Sequence, residues 1–148
     1  MIPALTEDGR LPAGIHAATW AEFSTSFTSS PGRRHMARGL LAGLRLLAKA
    51  GCRRAFIDGS FVTAATAPRD IDVAWDMDGV DLDGLDSVFF NFDLQRLAQR
   101  ARFSSEFFPA SWAATGAGET YLEFFQTDRD GSPKGVILVE MESLDAEE

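Results

Sequence analysis

The sequence has little of what several common protein classes require. Cys52 is its only cysteine, so neither an internal disulfide nor a cysteine-rich zinc site is expected. No apolar run approaches the roughly 18 residues of a membrane helix, and no signal peptide is evident, which predicts a cytoplasmic protein without membrane contact. The 14 Lys and Arg residues are outnumbered by 22 Asp and Glu residues, giving a net charge of −8. This shortage of positive charge argues against a broad nucleic-acid binding surface.

What remains is the composition of an ordinary globular domain. Hydrophobic residues make up 45% of the 148 residues and charged residues 24%, which is enough to build one core. No repeat or linker divides the chain, so residues 1–148 are predicted to form a single domain. Residues 1–18 are predicted to form an extended N-terminal arm, because prolines and glycines recur there. The acidic residues 142–148 are predicted to be a frayed tail.

Two helix starts are marked by capping residues. Thr19 and Glu22 match a capping box, which predicts a short helix starting next to Thr19. Ser30 followed by Pro31 predicts a second helix, which runs to about Ala50.

Strand patterns account for most of the remaining chain. Short buried strands are predicted over residues 55–58, 70–75 and 103–109. Residues 119–127 and 134–141 are predicted to form two strands of a C-terminal β-hairpin, since the segment between them is rich in turn residues.

A pair of carboxylates stands out in the second of these strands. Residues two apart on a strand point to the same face, so Asp70 and Asp72 project together while Ile71 and Val73 face the opposite, apolar side. Two neighbouring carboxylates repel each other, and holding them at the edge of a core is costly unless a cation or hydrogen-bond donors lie between them. The pattern therefore indicates a site for a divalent metal such as magnesium.

A Gly-Ser turn precedes this pair. Gly59 follows a buried strand and would let the backbone approach a phosphate, while the N–H groups and the Ser60 hydroxyl could bond its oxygens. Two magnesium ions facing such a turn suit phosphoryl or nucleotidyl transfer, in which positioning and charge neutralisation supply most of the catalysis.

Gly59-Ser60, a short spacer and Asp70-Ile71-Asp72-Val73 together resemble the signature of the DNA polymerase β-like nucleotidyltransferase superfamily. The chain is similar within it to small, minimal nucleotidyltransferase-like proteins, and to a family of unknown function. That wider similarity rests on four segments, 57–63, 106–109, 124–126 and 134–136. The resemblance implies an α/β (α+β) fold with a mixed β-sheet and flanking helices, a nucleoside triphosphate donor bound at Gly59 and Ser60, and two Mg²⁺ ions held by Asp70 and Asp72.

Active members of the superfamily use a third acidic residue from a later strand. Glu106 is the favoured candidate here, because it lies in an apolar strand where a charge needs a partner. Glu123 and Glu140 are its rivals, and an exposed strand position would explain either of them.

Two functions follow from the resemblance. The first is a magnesium-dependent nucleotidyltransferase that acts on an unknown acceptor, with Asp70, Asp72 and Glu106 as catalytic residues and a toxin–antitoxin module as a candidate context. The second is a catalytically inactive binding or antitoxin protein that acts through a protein partner, and it follows from two departures. No appended domain for the acceptor or the nucleotide base is evident, and the usual arginine after the Gly-Ser pair is missing. Phe61-Val62-Thr63 stands where many minimal members have an arginine. The short chain would leave the nucleotide pocket open, so a partner or a second copy could complete it.

Overall fold

A five-stranded mixed sheet forms the centre of the computed structural model, which describes residues 2–147. Its strands are Gly14–Ala18 (β1), Arg54–Asp58 (β2), Asp72–Trp75 (β3), Glu106–Pro109 (β4) and Gly135–Glu140 (β5), in the order β1-β5-β2-β3-β4. β1 runs parallel to β5 and β3 parallel to β4, while β2 is antiparallel to both of its neighbours. The predicted α/β fold with a mixed sheet is confirmed.

Four helices flank the sheet, at Trp20–Phe27 (α1), Pro31–Lys49 (α2), Asp93–Phe103 (α3) and Tyr121–Phe125 (α4). The two predicted helix starts are confirmed. The Thr19 side chain accepts from the Glu22 N–H and Glu22 accepts from the Thr19 N–H, and the Ser30 hydroxyl accepts from the N–H of Arg33. Three 3₁₀ segments complete the fold, at Ser60–Val62, Ser87–Phe90 and Met141–Glu147.

The main core lies between α1, α2, α3 and one face of the sheet. Leu40, Leu44 and Leu47 of α2 are fully buried there, as their helical spacing predicts. They share this core with alternate strand residues, which include Ile57, Val73, Trp75, Phe107 and Ile137. Burying each large apolar side chain contributes about 1.5–3 kcal/mol, so this layer dominates the stability of the fold.

The opposite face of the sheet has a smaller cover. Phe125 of α4 packs there with Phe56, Ala74 and Val136 in a second cluster of buried residues. Residues alternate between the two faces along a strand, so every second residue of β2, β3 and β4 points toward the α4 side. The functional candidates lie on this thinly covered face.

The prediction of a C-terminal β-hairpin is wrong. Its first half, residues 119–127, contains α4, and only β5 is a strand. Thr120 and Glu123 form a capping box that starts α4, and Phe125 is turned onto the sheet by helical spacing. The predicted turn does exist, since Asp128 N–H bonds Ser132 O at 2.7 Å.

Both predicted termini are more ordered than expected. The arm ends in β1, whose backbone pairs with β5, so only residues before Gly14 are irregular. The tail is not frayed up to Leu144, which is 2% exposed and packs in the main core. Leucine at this position contributes apolar surface that outweighs the acidic composition around it. Within residues 2–147 no helix has the length and apolar character to cross a membrane.

Candidate functional site

Three carboxylates line up across three neighbouring strands. Asp58 ends β2 and lies opposite Asp72 at the start of β3, and Asp72 lies beside Glu106 at the start of β4. Directly paired residues of neighbouring strands point to the same face, here the α4 side. Asp70 lies two residues before Asp72. We call Asp58, Asp70, Asp72 and Glu106 the carboxylate row.

The structure brings Glu106 to Asp72 and keeps both rivals away. Glu123 is exposed and caps α4 by accepting the Thr120 N–H at 2.9 Å. Glu140 is exposed at the far end of β5, where it pairs with Arg54 and not with Asp58. The position of the third carboxylate therefore agrees with the choice of Glu106, while its catalytic role remains a prediction.

The carboxylate row is electrostatically unfavourable as it stands. Burial raises the pKa of Asp72 to about 9, with further contributions from the charges of Asp70, Glu106 and Asp58. Burial also raises the pKa of Asp58, which is 4% exposed, although Lys134 opposes this shift. Lys134 Nζ lies 3.0 and 3.2 Å from the two oxygens of Asp58. The carboxylate row thus carries more negative charge than the ammonium group of Lys134 neutralises.

The Gly59-Ser60 turn holds Asp70 in place. The Ser60 N–H donates to Asp70 Oδ1 at 3.0 Å, the Ser60 hydroxyl donates to the same oxygen, and the Phe61 N–H donates to Asp70 O at 3.1 Å. Burial would raise the pKa of Asp70, but the bonds from Ser60 outweigh it and hold that pKa below its usual range. The predicted phosphate-facing N–H groups of Ser60 and Phe61 therefore already have a partner within the chain.

Glycine at position 59 is required by this close approach. Gly59 has φ +96°, and a Cβ there would lie 2.7 Å from Asp70 O and 3.1 Å from Asp72 N. The absent side chain thus serves the packing of two protein segments against each other. Gly59 and Ser60 still line the cavity beside the carboxylate row.

A buried arginine braces the segment after the turn. Arg33 of α2 is 5% exposed, and its guanidinium donates to the carbonyl oxygens of Phe61, Thr63 and Ala65 at 2.6–2.8 Å. Its hydrogen-bond partners are backbone carbonyls, and its Cζ atom lies 5.1 Å from the centre of the Phe61 ring. Sequence reasoning missed this role, because nothing in the helix pattern separates Arg33 from its exposed neighbours.

A cavity of about 720 Å³ opens at the carboxylate row. Asp58, Asp70 and Asp72 line it together with three basic residues that the sequence-based site did not include, Arg10, Arg129 and Lys134. Arg10 forms ion pairs with Asp8 and Asp128, whereas Arg129 is exposed and forms no ion pair with the residues that the structure describes. Arg10 and Arg129 had no local signal in the sequence, since they come from the arm and from the turn before β5, whereas Lys134 lies in the segment 134–136 on which the family similarity rests.

A second, smaller cavity of about 310 Å³ lies on the Glu106 side of the row. Asp70 borders both cavities, and Glu106, Arg69 and Arg100 line the second one. Arg100 Nε is 3.7 Å from Glu106 Oε1, a loose ion pair on a part-exposed surface. Two cavities therefore meet at the carboxylate row, and each has basic residues in its lining.

The donor chemistry of the row fits magnesium. Carboxylate oxygens are the hard ligands that this ion prefers, and a cation would relieve the repulsion around Asp72. Two of these carboxylates already have partners, because Ser60 donates to Asp70 and Lys134 donates to Asp58. Across residues 2–147, no group of three or more His, Cys, Asp or Glu side chains is arranged to hold a metal ion.

Comparison with known proteins identifies the family. A model described as a family of unknown function (DUF6932) matches residues 3–140, and the chain belongs to that family. No curated protein and no solved structure matches the chain.

Proposed function

We propose that this member of the DUF6932 family is a magnesium-dependent nucleotidyltransferase that moves a nucleotidyl group from a nucleoside triphosphate to an acceptor hydroxyl. The supporting observation is the carboxylate row between two cavities that both have basic lining residues. Transfer between two bound molecules needs both of them to meet at one charged centre. The row occupies that position.

The larger cavity is the proposed donor site. Lys134, Arg10 and Arg129 supply positive charge for a triphosphate, and Gly59 and Ser60 form part of its wall. A volume of about 720 Å³ lies within the usual range of about 300–1,000 Å³ for small-molecule sites. Lys134 would exchange its contact with Asp58 for one with phosphate when the donor binds.

The smaller cavity is the proposed acceptor site. A hydroxyl oxygen entering beside Glu106 attacks the α-phosphorus, a new P–O bond forms, and the bond to the β-phosphate oxygen breaks to release pyrophosphate. Glu106 would take the hydroxyl proton. Asp70, Asp72 and Glu106 would hold magnesium, which when bound neutralises the phosphates and steadies the leaving pyrophosphate.

A transfer assay tests this proposal. Purified protein is incubated with magnesium and each α-³²P-labelled triphosphate, with itself, total RNA and small-molecule pools as acceptors. Label transfer with pyrophosphate release is expected for wild type, with a loss of about 100-fold or more for Glu106→Gln. Glu140→Gln is the matched control because its carboxylate lies outside both cavities, and it should keep wild-type activity. Equal activity of Glu106→Gln and wild type would contradict the role of Glu106.

A different observation favours the second candidate function. Lys134 already neutralises Asp58, and Ser60 already satisfies Asp70, as in a fold that has stopped using the metal. In that case the protein is an inactive nucleotidyltransferase-like binding protein, such as an antitoxin that acts through a protein partner. It would bind no triphosphate in a magnesium-dependent manner and would co-purify with one partner at fixed stoichiometry.

A further inference from the structure

Phe124 is a large aromatic side chain that the fold leaves half-exposed. It is 47% exposed at the end of α4, whereas the next residue, Phe125, is 5% exposed. Phe125 anchors the helix by packing edge-on against Phe108, with ring centres 5.3 Å apart. The ring centre of Phe124 lies 6.3 Å from that of Phe125, and the rest of the Phe124 side chain faces outward. The fold therefore uses one of the two aromatic rings for packing and leaves the other available.

The ring lies in the wall of the larger cavity. Phe124 lines that cavity together with the basic residues Lys134 and Arg129 and the carboxylates of the row. An exposed aromatic surface within a charged cavity has no benefit for folding, because exposure forfeits the apolar burial of the ring. A ligand with one flat aromatic end and one anionic end would use both kinds of lining. A nucleoside triphosphate has this shape.

We propose that Phe124 is the platform on which the nucleobase of the donor stacks. The inference rests on the proposed function, because it places the triphosphate of the same molecule at Lys134, Arg10 and Arg129. Stacking on an aromatic ring tolerates every base, since each has a π-face. Purines present a larger ring surface than pyrimidines, so the site prefers purine triphosphates without strict selection of one base.

Tripolyphosphate separates the two ends of the ligand. It carries the anionic chain of a nucleoside triphosphate without the base, so it reports on the basic residues alone. Calorimetric titrations with ATP, CTP and inorganic tripolyphosphate, all with magnesium, are compared between wild type and Phe124→Ala. We expect Phe124→Ala to weaken ATP binding by about 5- to 100-fold. Tripolyphosphate binding should change by less than about 2-fold, because no phosphate contact is removed.

Two variants serve as controls. Phe124→Tyr keeps the ring and should bind ATP as wild type does. Trp112→Ala removes another exposed aromatic side chain, 41% exposed and outside both cavities, and should leave all affinities unchanged. Thermal unfolding of Phe124→Ala checks that the half-exposed side chain is not required for folding.

Several results would overturn the inference, and they can be told apart. Equal ATP affinity of Phe124→Ala and wild type would show that the base does not use this ring. A parallel loss of ATP and tripolyphosphate binding would assign Phe124 a purely structural role. If wild type bound ATP no more tightly than tripolyphosphate, the cavity would contain a phosphate site but no site for the base. Binding of neither ligand by wild type would remove the proposed function together with the inference.

Discussion

Asp72 is the residue at which burial and like charge act together. Its burial, followed by the charges of its neighbours in the carboxylate row, raises its pKa to about 9, far above the ordinary value of 3.8. The folded, metal-free protein therefore keeps a proton on Asp72 that the unfolded chain releases. The stabilising contribution of this proton is fully present below about pH 4 and is lost as the pH rises toward 9.

Asp72→Asn should remove this pH dependence. Asparagine has the same shape and no charge, so in EDTA near pH 8 the variant should unfold at a temperature roughly 3–8 °C above wild type. Near pH 4 the difference should be small, because Asp72 of the wild type then keeps its proton when folded and partly keeps it when unfolded. Thermal unfolding followed by circular dichroism measures both values. A variant less stable than wild type near pH 8 would contradict the electrostatic description of the row.

Gly59 is a second residue whose chemistry can be tested alone. Its φ of +96° and ψ of 177° belong to a region that is essentially restricted to glycine, and an added Cβ would meet Asp70 O at 2.7 Å. Gly59→Ala should cost roughly 2–4 kcal/mol of unfolding free energy through strain and displacement of the Asp70 segment. Urea titration measures this loss. Gly116→Ala is the matched control, because no atom lies within 4 Å of its Cβ position, and it should change stability little.

At the scale of elements, Arg33 joins α2 to the segment after the Gly59-Ser60 turn. Arg33→Ala would leave the buried carbonyl of Phe61 and the half-buried carbonyls of Thr63 and Ala65 without their donor, at a cost of roughly 2–4 kcal/mol. Arg33→Lys should recover little of this, since an ammonium lacks the planar fork that reaches several carbonyls. Arg38→Ala on the exposed face of α2 is the control. Urea denaturation measures the free energy of unfolding of all three variants. An unfolding midpoint of Arg33→Ala equal to that of Arg38→Ala would contradict a stabilising role for Arg33.

Elements with local signals were predictable from the sequence, and elements determined by tertiary packing were not. The caps at Thr19 and Ser30 identified two helices because the bonds that start a helix lie within four residues of each other. The same signal existed at Thr120 and Glu123, but the aromatic residues of 119–127 and the turn-rich segment after them also fitted a strand of a hairpin. The pairing of β1 with β5 had no local signal, since its partners are about 120 residues apart.

At the scale of the whole molecule, strand order assembles the site. The sequence predicted Asp70 and Asp72 as a pair from their spacing after Gly59-Ser60, and Glu106 as the third acid that the superfamily resemblance implies. The membership of Asp58 depends on the antiparallel pairing of β2 with β3, which no local pattern specifies. Arg10, Lys134 and Phe124 reach the same cavity from three further segments. A site assembled over such distances is predictable only once the topology is known.

The reaction rate of the Cys52 thiol reports how often the whole fold opens. Cys52 is 3% exposed, its Sγ lies 3.3 Å from the carbonyl oxygens of Arg54 and Asp76, and burial raises the pKa of its thiol to about 11. The native thiol should therefore react with DTNB near pH 8 at least about 100-fold more slowly than the denatured protein does. Bound magnesium and triphosphate should slow the reaction further by stabilising the folded state. Rapid labelling without denaturant would contradict this burial.

The central claim is that the carboxylate row and the larger cavity bind a triphosphate together with magnesium. Isothermal titration of the four common nucleoside triphosphates, with magnesium and with EDTA, tests it on wild type and on the Asp70→Asn/Asp72→Asn double variant. We predict binding of wild type that weakens by about 10-fold or more without magnesium, and loss of that magnesium dependence in the double variant. The same triphosphate affinity with and without magnesium in wild type, or no binding at all, would contradict the claim.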